Sequence, residues 1–242
     1  MEREVRTGQD GAPVVTYVRG VREGRPWADR LQVVGLDPVP AILADMSGWA
    51  VSGPVELGRE LVRRGATVLR HAHTMRRDLT DSAAASWAGT TVRPRFHAVA
   101  CDRDARTVFP AWREAFPADH PDHVPGTDEQ ALKGRLMPLM SGRRLGPLLP
   151  CSRLAVDESD RVVAGALITD RDGLPWVSAM FRHPLHSYPG LGRDLLRVAL
   201  ADAAGHGLTT VELAVTTVNP ARSVYESLGF RIIRTSLTVV VP

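Results

Sequence analysis

Apolar and polar positions alternate cleanly over Thr210–Val215, setting Val211, Leu213 and Val215 on one side of a predicted strand. Just before it, Leu191, Leu195, Leu196 and Ala199 recur at helical spacing. They predict a helix from about Gly190 to Ala204, ended by Gly205 and Gly207. A short helix over about Pro220–Leu228 stops at Gly229, and Arg231–Val241 reads as a last strand. Upstream, Ser152–Val156, Arg161–Thr169 and Trp176–Phe181 read as three strands, with Asp172-Gly173 turning between the last two. Arg95–Ala100 is a further short strand. Asp104 is placed to cap a helix carrying Val108, Trp112 and Phe116, and Asp128 to cap a second helix through about Met137. From Val92 on, the order is therefore strand, two helices, three strands, helix, strand, helix, strand. That predicts an α/β fold around one mixed sheet.

The N-terminal part is less regular. Residues 1–30 mix Gly, Arg and Pro with one apolar stretch, Val14–Val18. Leu31–Val34 and Pro40–Ala44 read as strands. Pro54–Arg64 reads as a helix, with proline in its first turn and Gly65 just past its end. Thr67–His73 reads as a strand, and the Ala/Ser/Gly/Thr-rich stretch Asp81–Thr91 as a linker. Two parts follow: a small N-terminal α/β extension over 1–85 and a main domain over 92–242.

Composition narrows the function. The 242 residues carry a formal net charge of +3, and basic residues come in nothing longer than pairs such as Arg63-Arg64 and Arg143-Arg144, which argues against a nucleic-acid partner. No apolar run nears the roughly 20 residues of a membrane span, and Met1–Asp10 lacks the apolar stretch of a secretory signal. A cytoplasmic protein is expected. The two cysteines, Cys101 and Cys151, lie far apart without metal-ligand spacing and read as inert thiols.

The stretch with most chemistry in it is Met180-Phe-Arg-His-Pro-Leu-His-Ser-Tyr-Pro-Gly-Leu-Gly-Arg-Asp-Leu-Leu196. A strand ends, a loop turns, and Gly190 and Gly192 open a helix. The first turn of a helix leaves amide N–H groups without carbonyl partners, and with the helix dipole they favour an anion such as a phosphate. A glycine pair at such a turn is more often purely structural. A dinucleotide-binding reading fits poorly, because the G-x-G-x-x-G spacing is absent and the pair falls late in the chain. The second informative stretch is Asn219-Pro-Ala-Arg-Ser-Val-Tyr-Glu-Ser-Leu-Gly-Phe230.

In this order and spacing, the two stretches together resemble the GCN5-related N-acetyltransferase (GNAT) superfamily. In that superfamily a strand feeds a pyrophosphate loop written Gln/Arg-x-x-Gly-x-Gly/Ala, which here reads Ser187-Tyr-Pro-Gly190-Leu-Gly192 after Pro184. The resemblance covers about Val92–Val241. It implies a mixed, mostly antiparallel central sheet flanked by helices, and acetyl-CoA as co-substrate. Carried over by position, it implies that backbone groups around Phe181 and Arg182 hold the pantetheine arm. The amides of Tyr188, Gly190, Leu191, Gly192 and Arg193 would hold the pyrophosphate, and Asn219 would contact the pantetheine. Tyr225 would protonate the departing thiolate, a role a phenol within reach of sulfur can fill; the plain alternative is a core-packing tyrosine. The chain departs from the pattern at three points. Ser187 replaces Gln or Arg, Pro189 has no amide to donate, and Asn219 to Tyr225 is one residue shorter than the commonest spacing.

Many members carry a general-base Glu on the strand before the loop, but Leu174–Phe181 has no carboxylate. Glu212, opposite Leu213 in the alternation, reads as a surface residue. Asp119, His120, Asp122 and His123 lie in the loop Pro117–Thr127, at a place that often lines the acceptor site in the superfamily. His120-x-x-His123 lacks a third ligand, so no metal site is predicted. Trp112 and Trp176 read as core, with an acceptor-pocket wall as the alternative. In the N-terminal part, Trp49–Gly58 leading into a helix and a strand looks like a worn copy of the same strand-loop-helix-strand, without its glycine pair. His71-x-His73, on one strand face, is weak metal evidence. The expectation is an acetyl-CoA-dependent N-acetyltransferase acting on a small-molecule or peptide amine, with neither nucleic acid nor membrane as partner and a homodimer left open. The rival is a catalytically inactive acyl-CoA-binding or regulatory module with the same fold.

Overall fold

The computed structural model describes residues 2–22, 24–184 and 190–242. Contacts divide the chain into two units: Met1–Thr74 with Ile232–Pro242, and Met75–Arg231. This differs from the boundary read off composition. The last strand, grouped by sequence with residues 92–242, joins the N-terminal unit because it pairs there. Met75, Leu79 and Ala84 go with the second unit because their side chains enter its core.

In the first unit, β1 (Glu4–Thr7), β2 (Pro13–Arg22), β3 (Arg25–Val33), β4 (Ala50–Gly53), β11 (Arg231–Val240) and the start of β5 (Thr67–Asp78) lie side by side in the order β1-β2-β3-β4-β11-β5. β2 and β3 form a long antiparallel hairpin where the sequence showed only the short apolar stretch Val14–Val18 and a short strand over Leu31–Val34. Pro40–Ala44, expected as a strand, lies in helix α1 (Pro38–Asp45), whose Val39 and Ile42 are buried. α2 (Val55–Arg63) lies so close to β11 that a Cβ on Gly58 would sit 2.8 Å from Leu237. Only glycine permits that approach. β11 runs antiparallel to β4, with Leu237 opposite Gly53 and Val240 opposite Ala50.

In the second unit the order is β5-β10-β9-β8-β7-β6, with β6 (His97–Ala100), β7 (Arg153–Val156), β8 (Val162–Arg171), β9 (Leu174–Arg182) and β10 (Thr210–Thr216). The β6-β7, β7-β8 and β8-β9 pairs are antiparallel, and β9-β10 is parallel. β8 is buried continuously from Val162 to Thr169 because helices cover both of its faces, which explains its unbroken apolar run. One face carries α7 (Leu191–Gly205), α8 (Ala221–Ser227) and the short α3 (Ser82–Ala85), an α-helical turn inside the expected linker. The other carries α4 (Ala105–Glu114) and a composite helix: α5 (Asp128–Ala131), a π-helical turn (Leu132–Leu136) and α6 (Met137–Met140).

Capping explains where these helices begin. Asp104 accepts the Arg106 N–H at the start of α4, as the sequence predicts. At α5 the cap is Thr127, one residue before the expected Asp128, because Thr127 and Gln130 form a reciprocal capping box. Leu191, Leu195, Leu196 and Leu200 on α7 are fully buried, each contributing about 1.5–3 kcal/mol before the cost of ordering the chain. Among the described residues no helix is long and apolar enough to cross a membrane.

Candidate active site

The site is built on a defect in the sheet. Along β8-β9, Leu167 faces Ala179 and Ile168 faces Val177, so Ser178 is an extra residue on β9. Its hydroxyl shares a 2.6 Å hydrogen bond with Thr169. A bulge of this kind bends its strand and tightens the twist. The parallel pairing of β9 with β10 stops at the same place: only Trp176 with Glu212 and Val177 with Leu213 are in register. Beyond them, Ser178–Arg182 and Ala214–Thr216 share no registered position. The two strands part, leaving backbone groups on their inner edges for a guest.

Past the far end of β9 is the start of α7. Gly190 is its N-cap, with φ 93°, a left-handed conformation that glycine adopts at little cost. The first helical bond runs from the Asp194 N–H to the Gly190 carbonyl at 2.9 Å. The amides of Leu191, Gly192 and Arg193 precede it and have no carbonyl four residues back within the helix. A Cβ at Gly192 would come 3.2 Å from the Met180 methyl, and one at Gly190 2.7 Å from an Arg93 guanidinium nitrogen. Arg93 is anchored by its Nε to the Asp194 carboxylate at 3.0 Å. No sequence motif announced Arg93, which reaches this helix end from 101 residues away. Phe181 is buried against Gly165, its registered partner on β8, so its backbone is firmly placed at the open end of β9. Nη1 of Arg182 is buried without a hydrogen-bond partner among the described residues. First-turn amides without a partner inside the helix, a cationic donor with no partner among the described residues and two glycines where a Cβ would crowd the turn all suit a diphosphate. Of the positions expected to hold it, Tyr188 lies outside the described residues, as do Ser187 and Pro189.

At the end of β10 stands α8, carrying Tyr225. Tyr225 is 8% exposed and stacks edge-on to Phe230 at 5.9 Å. Burial, and then the negative charge of Asp122, push its hydroxyl well above the usual phenol range, so it remains a proton donor at neutral pH. Asn219 is buried between these elements. Its carboxamide oxygen accepts the Ala221 N–H at 2.9 Å, while its Nδ2 donates to Asp122 at 2.7 Å. Thr216 donates to the same carboxylate at 3.2 Å. The side chain expected to touch pantetheine is thus held by a carboxylate from the loop between α4 and α5.

Of the other candidates, Glu212 is placed differently from what the sequence suggested. Glu212 is not a surface residue: it is 5% exposed, and its Oε1 accepts from Nε and Nη2 of Arg76 on β5 at 2.7 and 2.5 Å. The alternation set it opposite the apolar face, but that second face is covered as well. Trp112 packs between Phe109 and Phe116 in the core, and Trp176 lies under the Arg171 guanidinium at 4.8 Å. His123 bonds the Phe116 carbonyl at 2.8 Å, and His120 Nδ1 accepts the Asp122 N–H at 3.0 Å, so both rings organise the loop. His183 Nε2 meets Glu114 at 3.0 Å and ties the end of β9 to α4. Burial pushes the thiols of Cys101 and Cys151 up to about 11, which leaves neither as a nucleophile at neutral pH.

Comparison with known proteins agrees with this geometry. No curated protein matches the sequence. A GCN5-related N-acetyltransferase from Sphaerobacter thermophilus shares 17% identity and a TM-score of 0.68, over 100% of this chain and 81% of its own. One from Kribbella flavida shares 16% and 0.57, over 100% and 89%. A tandem GNAT protein from the clavulanic acid biosynthesis pathway, without AcCoA, shares 15% and 0.59, over 96% and 80%. At these identities the likeness is one of fold, a mixed α/β architecture with a mostly antiparallel sheet flanked by helices. The model of the Acetyltransferase (GNAT) family matches residues 107–230, more than half of the chain, and includes the bulged strand, the glycine-opened helix and Tyr225. The chain belongs to the GNAT acetyltransferase family.

Proposed function

We propose that the chain is an acetyl-CoA-dependent N-acetyltransferase in which an amine attacks the thioester directly. The observation that supports this reading is the parting of β9 and β10 after two registered positions, with the first-turn amides of α7, which have no partner within the helix, beyond one strand and the protonated Tyr225 beyond the other. The α7 amides with Gly190 and Gly192 would hold the diphosphate, and the inner edge of β9 around Phe181 and Arg182 the pantetheine arm. The bound thioester would supply an activated acetyl group. Tyr225 would give its proton to the leaving sulfur, and its raised pKa keeps that proton available. We read residues 1–85 as a degenerate second copy of the same fold. β4, α2 and β5 supply strand, helix and strand, and α2 opens on Pro54 instead of a glycine pair.

Two measurements test the reading. Acetyl-CoA at about 100 times its dissociation constant stabilises the folded state by about 2.7 kcal/mol. For a chain of this size that raises the melting temperature by about 5–11 °C. An unchanged melt at millimolar acetyl-CoA rejects the proposal. Tyr225→Phe is expected to lower kcat by about 10²-fold or more while leaving the KM for acetyl-CoA nearly unchanged. Undiminished turnover removes the phenol from the mechanism.

A further inference from the structure

The proposed reaction needs a group to take the proton of the incoming amine, and β9 carries no carboxylate. We propose that Asp122 is that group: it receives the acceptor amine and accepts its proton. This rests on the acetyltransferase reading above.

Asp122 belongs to the loop between α4 and α5, yet its carboxylate is fixed at the opposite wall of the parted strands. Oδ2 accepts from Asn219, two residues before α8 begins, and Oδ1 accepts from Thr216, the last residue of β10. These contacts bridge 97 and 94 residues of sequence, so they reflect the fold and not a local turn. Within the loop, the Asp122 N–H is bound by His120 and the chain on either side is pinned by His123. The carboxylate therefore has a defined position before any substrate arrives. It stands close enough to Tyr225 for its charge to act on the phenol.

Two other carboxylates, Glu212 and Glu114, are less suited. Glu212 sits where β9 and β10 are still in register, and Arg76 holds it through two nitrogens. Glu114 is engaged with His183 at the end of α4. Beside Asp122 lie the Tyr225 phenol on α8 and His120 on its own loop.

The proton balance favours this pairing. The amine nitrogen forms a bond to the acyl carbon, and the carbon–sulfur bond breaks. Before the attack the ammonium gives one proton to the Asp122 carboxylate, which releases it to solvent. As the carbon–sulfur bond breaks, the Tyr225 hydroxyl proton passes to sulfur to give the free thiol, and the proton that the nitrogen sheds on becoming an amide returns to the phenolate. An ammonium acceptor therefore releases one proton per turnover, and a neutral amine, which does not need Asp122, releases none.

The test compares two acceptors. Benzylamine is protonated at pH 7 and must lose a proton to react; aniline is neutral there. In Asp122→Asn we expect kcat/KM for benzylamine to fall about 100-fold or more, the usual scale of general-base catalysis. For aniline the loss should be at least about 10-fold smaller, and acetyl-CoA should still raise the melting temperature of the variant. Asp122→Ser gives the same comparison if the Asn variant does not fold. Equal losses for both amines, no loss for either, or a wild-type protein inert to both overturns the assignment while leaving acetyl-CoA binding intact. If acetyl-CoA stabilises neither protein, the acetyltransferase reading fails, and this assignment with it.

Discussion

Substituting Gly165 by alanine is a direct test of how β9 is held in place. Gly165 lies on β8 opposite Phe181, and a Cβ there would fall 2.3 and 2.4 Å from two ring carbons and 3.1 Å from a Leu154 methyl. Carbon atoms do not approach to 2.4 Å, so something must yield. Phe181 is 3% exposed and Leu154 fully buried, so neither side chain can swing into solvent. Overpacking of this kind costs about 1–3 kcal/mol. At about 2–4 °C per kcal/mol, Gly165→Ala should melt about 2–12 °C below the wild type in a circular-dichroism thermal scan. The ring is attached to the stretch of β9 proposed to carry the pantetheine, so the KM for acetyl-CoA should rise as well. Combining Gly165→Ala with Phe181→Leu removes the colliding atoms. The double variant should be more stable than the sum of the two single losses allows, with a coupling of about 0.5–3 kcal/mol. If Gly165→Ala melts within a degree of the wild type, or the two changes are additive, the contact does not constrain the strand and the reasoning fails.

Two further predictions concern titration. Burial raises Cys101 and Cys151 to about 11, so both should resist iodoacetamide at pH 8 in the native protein and react once it is unfolded, as a mass-spectrometric count of adducts would show. Because the folded-state values are raised, their stabilising effect is intact below the ordinary thiol range and is lost as pH climbs through about 11; melts across that window should show the decline. Asp81 shows the opposite sign. A hydrogen bond from Arg77, and then the Ala84 N–H, hold it at about 2, so its contribution is present above the ordinary carboxylate range and disappears as pH falls through about 2. Asp81→Asn should be less stable than the wild type at pH 6, and the gap should narrow in acid melts approaching pH 2.

Much of the second unit was legible because its signals are local. The α7 face formed by Leu191, Leu195, Leu196 and Ala199 is fully buried, as its spacing implied, and the alternation over Val211, Leu213 and Val215 marks β10. Gly190 reads as a helix opening because few other residues tolerate its backbone. What escaped notice depends on tertiary partners. The bulge at Ser178 exists only relative to β8, and no sequence pattern encodes where two strands stop pairing. Glu212 alternates like a surface residue because periodicity distinguishes faces and not which of them is covered. Pro40–Ala44 was ambiguous, since so short an apolar run suits strand or helix alike; Pro38 in the first turn favours the helix. In the β2-β3 hairpin, arginines and glycines interrupt the alternation. Several of these polar side chains find partners nonetheless: Arg22 pairs with Asp29 and stacks on Trp27, and Arg19 lies over Trp49.

The position of β11 bears on how the polypeptide acquires its structure during synthesis. The first unit needs that strand between β4 and β5, and Leu237, Val239 and Val241 contribute to its core. A ribosome delivers residues 1–74 long before 232–242. Residues 1–74 must therefore wait with an open seam, the edges beside it exposed, until β11 is made. Residues 75–231 can meanwhile assemble most of their own contacts. Residues 1–74 would thus reach their final form later than residues 75–231, and losing residues 232–242 would harm the first unit more than the second.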